Sequence, residues 1–325
     1  MDYRRDECDP VCGLLSGADW DEHYRRGALA ISSRVVSPQV PPSDVPVKPR
    51  VSVVIVSYNC EEALRRCVQA LEASRGREQM EILTVDAGSE DGSPRIDSEF
   101  PAVTVMRLPR NFGKTRARNI GVRTAQADLL LFLDPHVEVD PGTVLGLADL
   151  LDSREDASAA AAALRDEAGQ KLEIAFRLPN SQDLASAAMK GTPLPRVPAG
   201  ESAPAVEDHA VMVRRVFLAG MNYLDEKRFS EYWSFLEVCW QIRNAGKKIL
   251  LAEAGATLHE FTELDVDETS YDADRISGAA SYIGKHEGMG AAISFKLKCF
   301  FSALGSARLG LAMAVATGQR LDPTQ

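Results

Sequence analysis

Residues 107–143 read RLPRNFGKTRARNIGVRTAQADLLLFLDPHVEVDPGT, and this stretch decides which fold the sequence predicts. A turn at 111–113 leads into a predicted helix, and 129–133 is an apolar run typical of a buried parallel strand. The strand ends at Asp134, with His136 two residues later. Ligands of open α/β sheets bind beyond the carboxyl ends of the strands, so these side chains are the first site candidates. The alternative is that the carboxylate only caps the next helix.

Three further apolar runs upstream have the length and composition of strands, at 51–57, 81–85 and 103–108. A helix is predicted at 61–73, between the first two, because apolar residues recur there with a helical period. Strands that alternate with helices need crossover connections. The sequence therefore predicts an α/β fold with a mostly parallel central sheet flanked by helices.

The composition excludes some classes of function. The chain has 325 residues and a formal net charge of −10, which argues against a general nucleic-acid binder because binding to the phosphate backbone needs a basic surface. The N-terminal stretch MDYRRDECDPVCGLLSG carries charges where a signal peptide has an apolar core, so we expect a cytoplasmic protein. The six cysteines lack the paired spacing of a structural zinc site, which indicates reduced thiols.

The sequence divides into three predicted regions. Residues 1–48 form an N-terminal extension that ends in a proline-rich linker, and 49–262 form the α/β domain. Residues 263–325 form a helical, partly amphipathic C-terminal region. We expect the chain to fold around the middle region.

Residues 293–308 predict an amphipathic helix with flanking cations. The uncharged stretches in this region are far shorter than the roughly 20 residues that span a bilayer. One interpretation is peripheral contact with an anionic membrane face, at the inner side of the membrane. The alternative is packing across the domain or against a second copy in a homodimer. The residues that define the pattern are Ile293, Lys296, Leu297, Lys298, Phe300, Leu304 and Arg308.

Polar and aromatic residues follow the ends of the first, second and fourth predicted strands. In a parallel sheet these ends lie along one edge, where a ring and two carboxylates suit the base and ribose of a nucleotide. Two arginines on the helix after Gly113 are candidates for the phosphates, and the alternative for both is a solvated helix face. The predicted nucleotide-sugar residues are Tyr58, Asn59, Asp86, Gly88, Arg116, Arg118 and Asp134.

Two common nucleotide motifs are absent from the sequence. No G-x-G-x-x-G follows the first strand. The run Gly113-Lys114-Thr115 imitates the end of a P-loop, but Leu108 stands where the first glycine of that loop belongs. The glycine-rich dinucleotide motif and the P-loop motif are therefore excluded.

Several ordered motifs resemble one known family. VSVVIVSYN at 51–59, DAGSEDGS at 86–93 and NFGKTRARNIGVRTAQADLLLFLD at 111–134 are similar to the nucleotide-binding half of the family-2 inverting glycosyltransferases. The resemblance is greatest to the bacterial rhamnosyltransferase-like branch and covers roughly 51–261. It implies a GT-A fold and transfer of a sugar from a nucleotide diphosphate sugar to a hydroxyl acceptor, with inversion. The implied acceptor is a glycan or lipid-linked molecule of cell-envelope or polysaccharide synthesis.

The resemblance also assigns roles to single residues. Tyr58 and Asp86 match positions that hold the nucleotide base, and Asp134 matches the first acid of the D-x-D motif. His136 stands where the second aspartate of that motif coordinates a divalent cation, Mn or Mg. His259 stands where the family often has a histidine near the diphosphate. Asp134, His136 and His259 are thus candidate metal ligands, although hard cations prefer oxygen. The alternatives are a helix-entry histidine at 136 and a surface histidine at 259.

The place of the catalytic base departs from the family pattern. An acidic pair supplies the base in the resembling branch, but this chain has Ser234 and Phe235 there. A base must reach the acceptor hydroxyl, because an alcohol is a poor nucleophile at neutral pH. On a helix, Glu231 and Glu237 each lie three residues from Ser234 and are the candidate substitutes, with Glu231 preferred. The alternative for both is a solvated or salt-bridged glutamate.

These departures leave two classes of function open. The first is an active glycosyltransferase with rearranged acids. The second is a catalytically degenerate relative that binds a nucleotide sugar or a partner enzyme as a scaffold or sensor. Sugar-phosphate nucleotidyl transfer is a weaker third class, because the glycine- and arginine-rich signature of those enzymes is absent after Val51. A protein's function depends on the residues of its binding and catalytic sites, so a shared fold cannot distinguish these three classes of function.

Overall fold

The computed structural model describes residues 48–198, 200–259 and 268–319. The predicted N-terminal extension lies outside these residues except for its last position, and so do Cys8 and Cys12. The start of the predicted C-terminal region, 263–267, is also outside them. The boundaries of the three predicted regions therefore stay predictions. The four cysteines within the described ranges are free thiols.

A central sheet organises the described part of the chain. Its main path has the strand order β3-β2-β1-β4-β10-β6-β11-β5, with β8 paired to β11, while β7 and β9 form a separate pair. The strands are β1 Val51–Ser57, β2 Met80–Asp86, β3 Val103–Arg107, β4 Leu129–Leu133, β5 Val137–Val139, β6 Ala157–Arg165, β7 Ala175–Phe176, β8 Ser202–Ala203, β9 Ala205–Val206, β10 Ala210–Arg214 and β11 Lys248–Leu258.

The helices of the described residues flank this sheet or follow it. Helix α8 packs against α5, α9 and α10, so the last described residues form a helical layer, as the sequence predicted. The helices are α1 Glu61–Glu72, α2 Ile96–Glu99, α3 Lys114–Thr124, α4 Thr143–Asp152, α5 Ser181–Lys190, α6 Arg215–Gly220, α7 Ser234–Asn244, α8 Glu268–His286, α9 Met289–Gly305 and α10 Leu309–Thr317.

The predicted α/β fold class is confirmed. Strands β3, β2, β1 and β4 are parallel, because each of the connections between them crosses over through a helix. The predicted strand and helix ends in this half agree with the structure to within one residue. The second half is less regular, because β10 lies antiparallel between β4 and β6 and β11 contains register shifts.

Strand β4 lies in the middle of the sheet, and all of its residues are buried. Burial of each large aliphatic side chain contributes about 1.5–3 kcal/mol, which explains the uninterrupted apolar run. Helix α3 packs closely over the neighbouring strand, since a Cβ on Gly121 would lie 2.5 Å from Cγ1 of Val54. Asp134 is the first residue after β4.

None of the described helices has both the length and the apolar character that a membrane span requires.

Candidate functional site

The carboxyl ends of β2, β1 and β4 lie side by side, because these strands are parallel neighbours. A cavity of about 270 Å³ opens at this edge, and we call it the first cavity. A larger space of about 910 Å³ beside β6 and β11 contains none of the predicted site residues. The polar side chains that line the first cavity include Tyr58, Asn111, Lys114, Asp134, His136, His209, Glu231 and Tyr271.

Asp134 is held in place by two histidines and a lysine. Its Oδ1 accepts a hydrogen bond from the backbone N–H of His136 and lies 3.0 Å from Nδ1 of that ring. Its Oδ2 lies 3.4 Å from Nδ1 of His209 and 3.9 Å from Nζ of Lys114. Burial raises the pKa of Asp134, but the contacts with His136 and His209 outweigh this effect and hold the pKa well below its usual range. Both oxygens of this carboxylate therefore face nitrogen groups.

Asp86 shapes the loop after β2. Its Oδ2 accepts hydrogen bonds from the backbone N–H groups of Gly88 and Ser89, at 3.1 and 3.0 Å. Its Oδ1 accepts one from the Ser89 hydroxyl at 2.5 Å. Ala87 rather than Asp86 lines the first cavity. Asp86 therefore does not line the cavity itself but holds the loop that forms part of the cavity wall.

Asn59 and Gly88 fix the same loop. The side chain of Asn59 accepts a hydrogen bond from the N–H of Glu90 at 2.8 Å, and the N–H of Asn59 donates to the Ser89 hydroxyl. Gly88 has a φ of +80°, and a Cβ there would lie 2.6 Å from Cα of Arg110. Only glycine allows this backbone approach without strain. Asn59 and Gly88 therefore hold the conformation of the loop that borders the first cavity.

Lys114 is a site residue that the sequence reasoning missed. It is the first residue of α3, and its ammonium lies 3.6 Å from Oδ2 of Asp208 as well as beside Asp134. The side chain lines the first cavity and also an adjoining one of about 260 Å³, which we call the second cavity. The sequence feature that could have identified Lys114 is its position directly after Gly113, at the amino end of a predicted helix, where anions bind.

Glu231 lies where the two cavities meet and lines both. Its Oε2 accepts a hydrogen bond from the backbone N–H of Lys114 at 2.9 Å, and its own N–H donates to Asp274 on α8. Burial raises the pKa of Glu231, and this effect outweighs the positive charge of Lys114, which lowers the pKa. A carboxylate with a raised pKa in a cavity is suited to proton transfer.

Aromatic side chains form much of the wall of the second cavity. Phe176, Tyr232, Trp233 and Phe235 line it, and Glu231 lies at its edge. Flat rings give a large apolar surface for a ligand, while the few polar groups fix its orientation. The arrangement offers two adjoining binding spaces with one shared carboxylate.

The family model described as Glycosyl transferase family 2 matches residues 52–216, just over half of the chain. The chain belongs to glycosyl transferase family 2. The matched residues include Tyr58, Lys114, Asp134 and His209, so most of the first cavity lies in the family domain. Glu231 lies beyond the matched stretch.

Two curated relatives match part of this family 2 chain. The uncharacterized glycosyltransferase YfnE of Bacillus subtilis strain 168 is 33% identical over 89 residues, 26% of this chain and 22% of the relative. The undecaprenyl-phosphate 4-deoxy-4-formamido-L-arabinose transferase of Klebsiella pneumoniae strain 342 is 34% identical over 119 residues, 34% of this chain and 36% of the relative. The chain thus spans between about a fifth and about a third of the length of these relatives.

A solved structure with a similar fold is that of GalNAc-T7 with UDP, GalNAc and Mn²⁺. It is 19% identical, with a TM-score of 0.55, and covers 72% of this chain and 47% of that chain. At this identity the likeness supports the fold alone. The fold of this family 2 chain is GT-A.

The predicted metal ligands of this family 2 chain do not face one point. Nδ1 of His259 lies 3.0 Å from Oε1 of Glu167, and its Nε2 lies 3.2 Å from Oε2 of Glu138. The oxygens of Asp134 face His136 and His209 instead. Among the described residues, no group of three or more His, Cys, Asp or Glu side chains is arranged to hold a metal. Mg²⁺ and Mn²⁺ prefer several oxygen ligands, so this donor set does not fit them.

The two predicted phosphate arginines do not line the first cavity. Arg118 is only 2% exposed, forms an ion pair with Asp208 and lies over the ring of Phe132. Arg116 lies over the ring of Phe112, with 4.5 Å between its Cζ and the ring centroid. The alternative of a solvated helix face is wrong for Arg118, because the helix buries that face. Lys114 brings the positive charge to the cavity instead.

Glu237 lies apart from Glu231, in a buried network between α7 and α8. Its side chain is 1% exposed, Oε1 lies 2.8 Å from Nζ of Lys285, and Oε2 lies 2.6 Å from Nε2 of His286. Helix α7 begins at Ser234, so Glu231 is not on that helix and the assumed helical spacing is wrong for it. Trp233, with a φ of +71°, turns the chain between the two glutamates.

Gly113 sets the distance between Lys114 and Glu231, and we expect Gly113→Ala to disturb it. The φ of Gly113 is +85°, and a Cβ there would lie 2.8 Å from the backbone carbon of Ser230. We expect a stability loss of about 1–3 kcal/mol, measured by urea denaturation, because the backbone must strain or shift.

Gly220→Ala is the matched control for Gly113→Ala. Apart from its chain neighbours and the backbone of its own helix, no heavy atom lies within 4 Å of a Cβ at Gly220, so the stability of this variant should stay within about 0.5 kcal/mol of the parent. Equal stabilities for the two variants would contradict the tight approach at Gly113.

Proposed function

We propose that this chain transfers a sugar from a nucleotide diphosphate sugar to a hydroxyl acceptor, with inversion at the anomeric carbon. The observation that carries the proposal is the position of Glu231. Its carboxylate lies where the two cavities meet, beside Lys114, and burial raises its pKa. One cavity then holds the donor and the other the acceptor, with the base between them.

In this mechanism the first cavity binds the donor. Tyr58 stacks on the nucleotide base, the loop held by Asp86 and Asn59 shapes the wall around it, and Asp134 lies near the ribose and holds His136, His209 and Lys114 in place. The ammonium of Lys114 faces the diphosphate. We assign no step to Mg²⁺ or Mn²⁺, because the donor set of the described residues does not fit these cations.

The chemical step is one displacement. Glu231 accepts the proton of the acceptor hydroxyl while the hydroxyl oxygen attacks the anomeric carbon. The bond from that carbon to the diphosphate breaks, and the nucleoside diphosphate leaves with the bonding electrons. Lys114 stabilises the charge that develops on the leaving phosphate. A single attack from the opposite face inverts the configuration.

The proposed acceptor is a glycan or a lipid-linked molecule of bacterial cell-envelope or polysaccharide synthesis. The aromatic wall of the second cavity supports an acceptor with apolar faces. The Klebsiella relative is named for transfer that involves undecaprenyl phosphate, a polyprenyl phosphate, which supports a lipid-linked acceptor. A rhamnosyltransferase-like specificity and a location at the inner membrane face are parts of this proposal, and a homodimer is the alternative to membrane contact for the C-terminal helices.

A second candidate function is binding without transfer. The positions of the family's acidic pair hold Ser234 and Phe235, both buried, and Phe235 packs edge-on against Phe132 at 6.0 Å between ring centroids. Acids at these positions would be buried among aromatic rings. A chain that binds nucleotide sugars but transfers none would be a scaffold or sensor.

The first test is calorimetric titration of the intact chain with UDP, GDP and dTDP, each with and without Mn²⁺. We expect one nucleotide to bind without added metal. Lys114→Met should weaken that binding at least about tenfold, because the phosphates lose a close charge. Lys190→Met changes an exposed lysine at the end of α5 and is the matched control.

The outcomes of the titration separate the candidates. If no nucleotide binds, the glycosyltransferase proposal fails. If binding is unaffected by Lys114→Met, the assigned position of the diphosphate fails. Binding by a chain that releases no nucleoside diphosphate with any acceptor favours the scaffold.

A further inference from the structure

Helices α9 and α10 carry a row of exposed large apolar side chains. Met289, Ile293, Leu297 and Phe301 follow one another at intervals of four residues along α9, and each is more than half exposed. The row continues with Leu304 and into α10 with Leu309 and Met313. Single exposed apolar residues are common on proteins, but a contiguous row marks a surface that binds something.

The opposite sides of both helices already pack into the protein. Phe295, Cys299, Leu311 and Val315 are buried, and α9 contacts α8, α5 and α10. Phe300, which the sequence placed on the apolar stripe, is half-buried against the core, while Phe301 is 64% exposed. The exposed row is therefore an additional face and not part of the fold's own core.

The charges on this surface all have one sign. Residues 288–319 contain Lys296, Lys298 and Arg308 but no Asp or Glu, in a chain with a net charge of −10. Arg308 is paired with Asp272 of α8. Within the described residues, Lys296 and Lys298 form no ion pair, and Lys298 is exposed. Apolar residues flanked by lysines are the pattern of a helix that lies on an anionic bilayer.

A second copy of the chain fits this surface poorly. A two-fold contact would set the face against itself, so the cations of both copies would meet in an apolar interface. The face has no acid to pair with them, and buried unpaired charges are destabilising. An anionic lipid surface instead supplies both the apolar layer and the opposite charge.

We propose that the exposed face of α9 and α10 docks on the surface of an anionic lipid bilayer. The apolar row enters the boundary between headgroups and acyl chains, and the lysines lie at the level of the lipid phosphates. The same helical layer reaches the candidate site, because Tyr271 of α8 lines the first cavity and Asp272 pairs with Arg308. Docking therefore brings the first cavity close to the membrane, whatever reaction the site performs.

The test is co-sedimentation of the intact chain with vesicles of phosphatidylcholine alone, or with about one third phosphatidylglycerol. We expect binding to the anionic vesicles that weakens as salt is added. The double variant Leu297→Asp with Phe301→Asp should bind at least about tenfold more weakly, because carboxylates then face the acyl chains. Lys298→Gln should lose about fivefold, since one cation near an anionic surface contributes roughly 1 kcal/mol.

Val216→Asp is the matched control, because Val216 is 76% exposed on α6, outside the surface. Its vesicle binding should equal that of the parent, and circular dichroism checks that all variants are folded. Equal binding to both kinds of vesicle, or none to either, overturns the proposal. So does a concentration-dependent dimer that the double variant abolishes, because a second copy would then cover the face.

Discussion

Replacing Glu231 with glutamine should abolish most sugar transfer and leave the fold and donor binding intact. Removal of a general base typically lowers kcat by about 10²–10⁴-fold. Glutamine has the same shape, and its amide oxygen still accepts the hydrogen bond from the N–H of Lys114. The measurement is release of nucleoside diphosphate from the nucleotide sugar in the presence of acceptor, beside a titration for donor affinity.

The pH dependence gives a second readout for Glu231. The base acts as the carboxylate, so kcat/KM, which reports the pKa of the free enzyme, should rise as pH increases through the pKa of Glu231. Because burial raises the pKa of Glu231, the acid limb should lie above the ordinary pKa of a glutamate. Glu253→Gln, an exposed glutamate on β11, is the control and should keep the parent profile. A Glu231→Gln chain with more than about a tenth of the parent kcat would exclude Glu231 as the base.

Replacing Glu237 with alanine should destabilise the protein by about 3–5 kcal/mol, because it breaks a buried charged network. The carboxylate contacts Lys285 and His286 and accepts a hydrogen bond from Gln241. The ring of His286 lies between Trp240 and Tyr282, at 4.2 and 4.4 Å between ring centroids, so it cannot turn toward water without a loss of packing. Urea denaturation measures the effect.

The matched control for Glu237→Ala is Glu287→Ala, because Glu287 is an exposed glutamate of the same helical layer. This control should change the stability by less than about 0.5 kcal/mol. The folded fraction of Glu237→Ala should bind nucleotide as the parent does. A variant with parent stability and no transfer would instead place Glu237 in the catalytic step.

The parallel half of the fold was predictable from sequence. A run such as 129–133 is apolar at every position because both faces of a central strand are covered, and its length distinguishes it from a helix. The sites at the strand ends follow from the same pattern. The antiparallel β10 and the register shifts of β11 were not predicted, because strand direction and register depend on distant partners.

Asp134 was found because it directly follows a strand. Lys114 and His209 were missed as its partners, because Lys114 was considered only as part of a P-loop and His209 precedes a strand on the far side of the chain. Their contacts with Asp134 span 20 and 75 residues of sequence. No local pattern reports such contacts.

By itself the sequence determined the α/β class, the resemblance to family 2 and the edge of the sheet that carries the site, because local periodicity and short motifs encode these features. The sequence left Glu231 and Glu237 as candidate bases at equal spacing from Ser234, with Glu231 preferred, and only the tertiary structure shows how their surroundings differ. The turn at Trp233 leaves Glu231 between the two cavities, whereas packing of α7 on α8 buries Glu237 against His286. The physical reason is that a carboxylate's role depends on its burial and its partners, and folding brings those partners from distant parts of the chain.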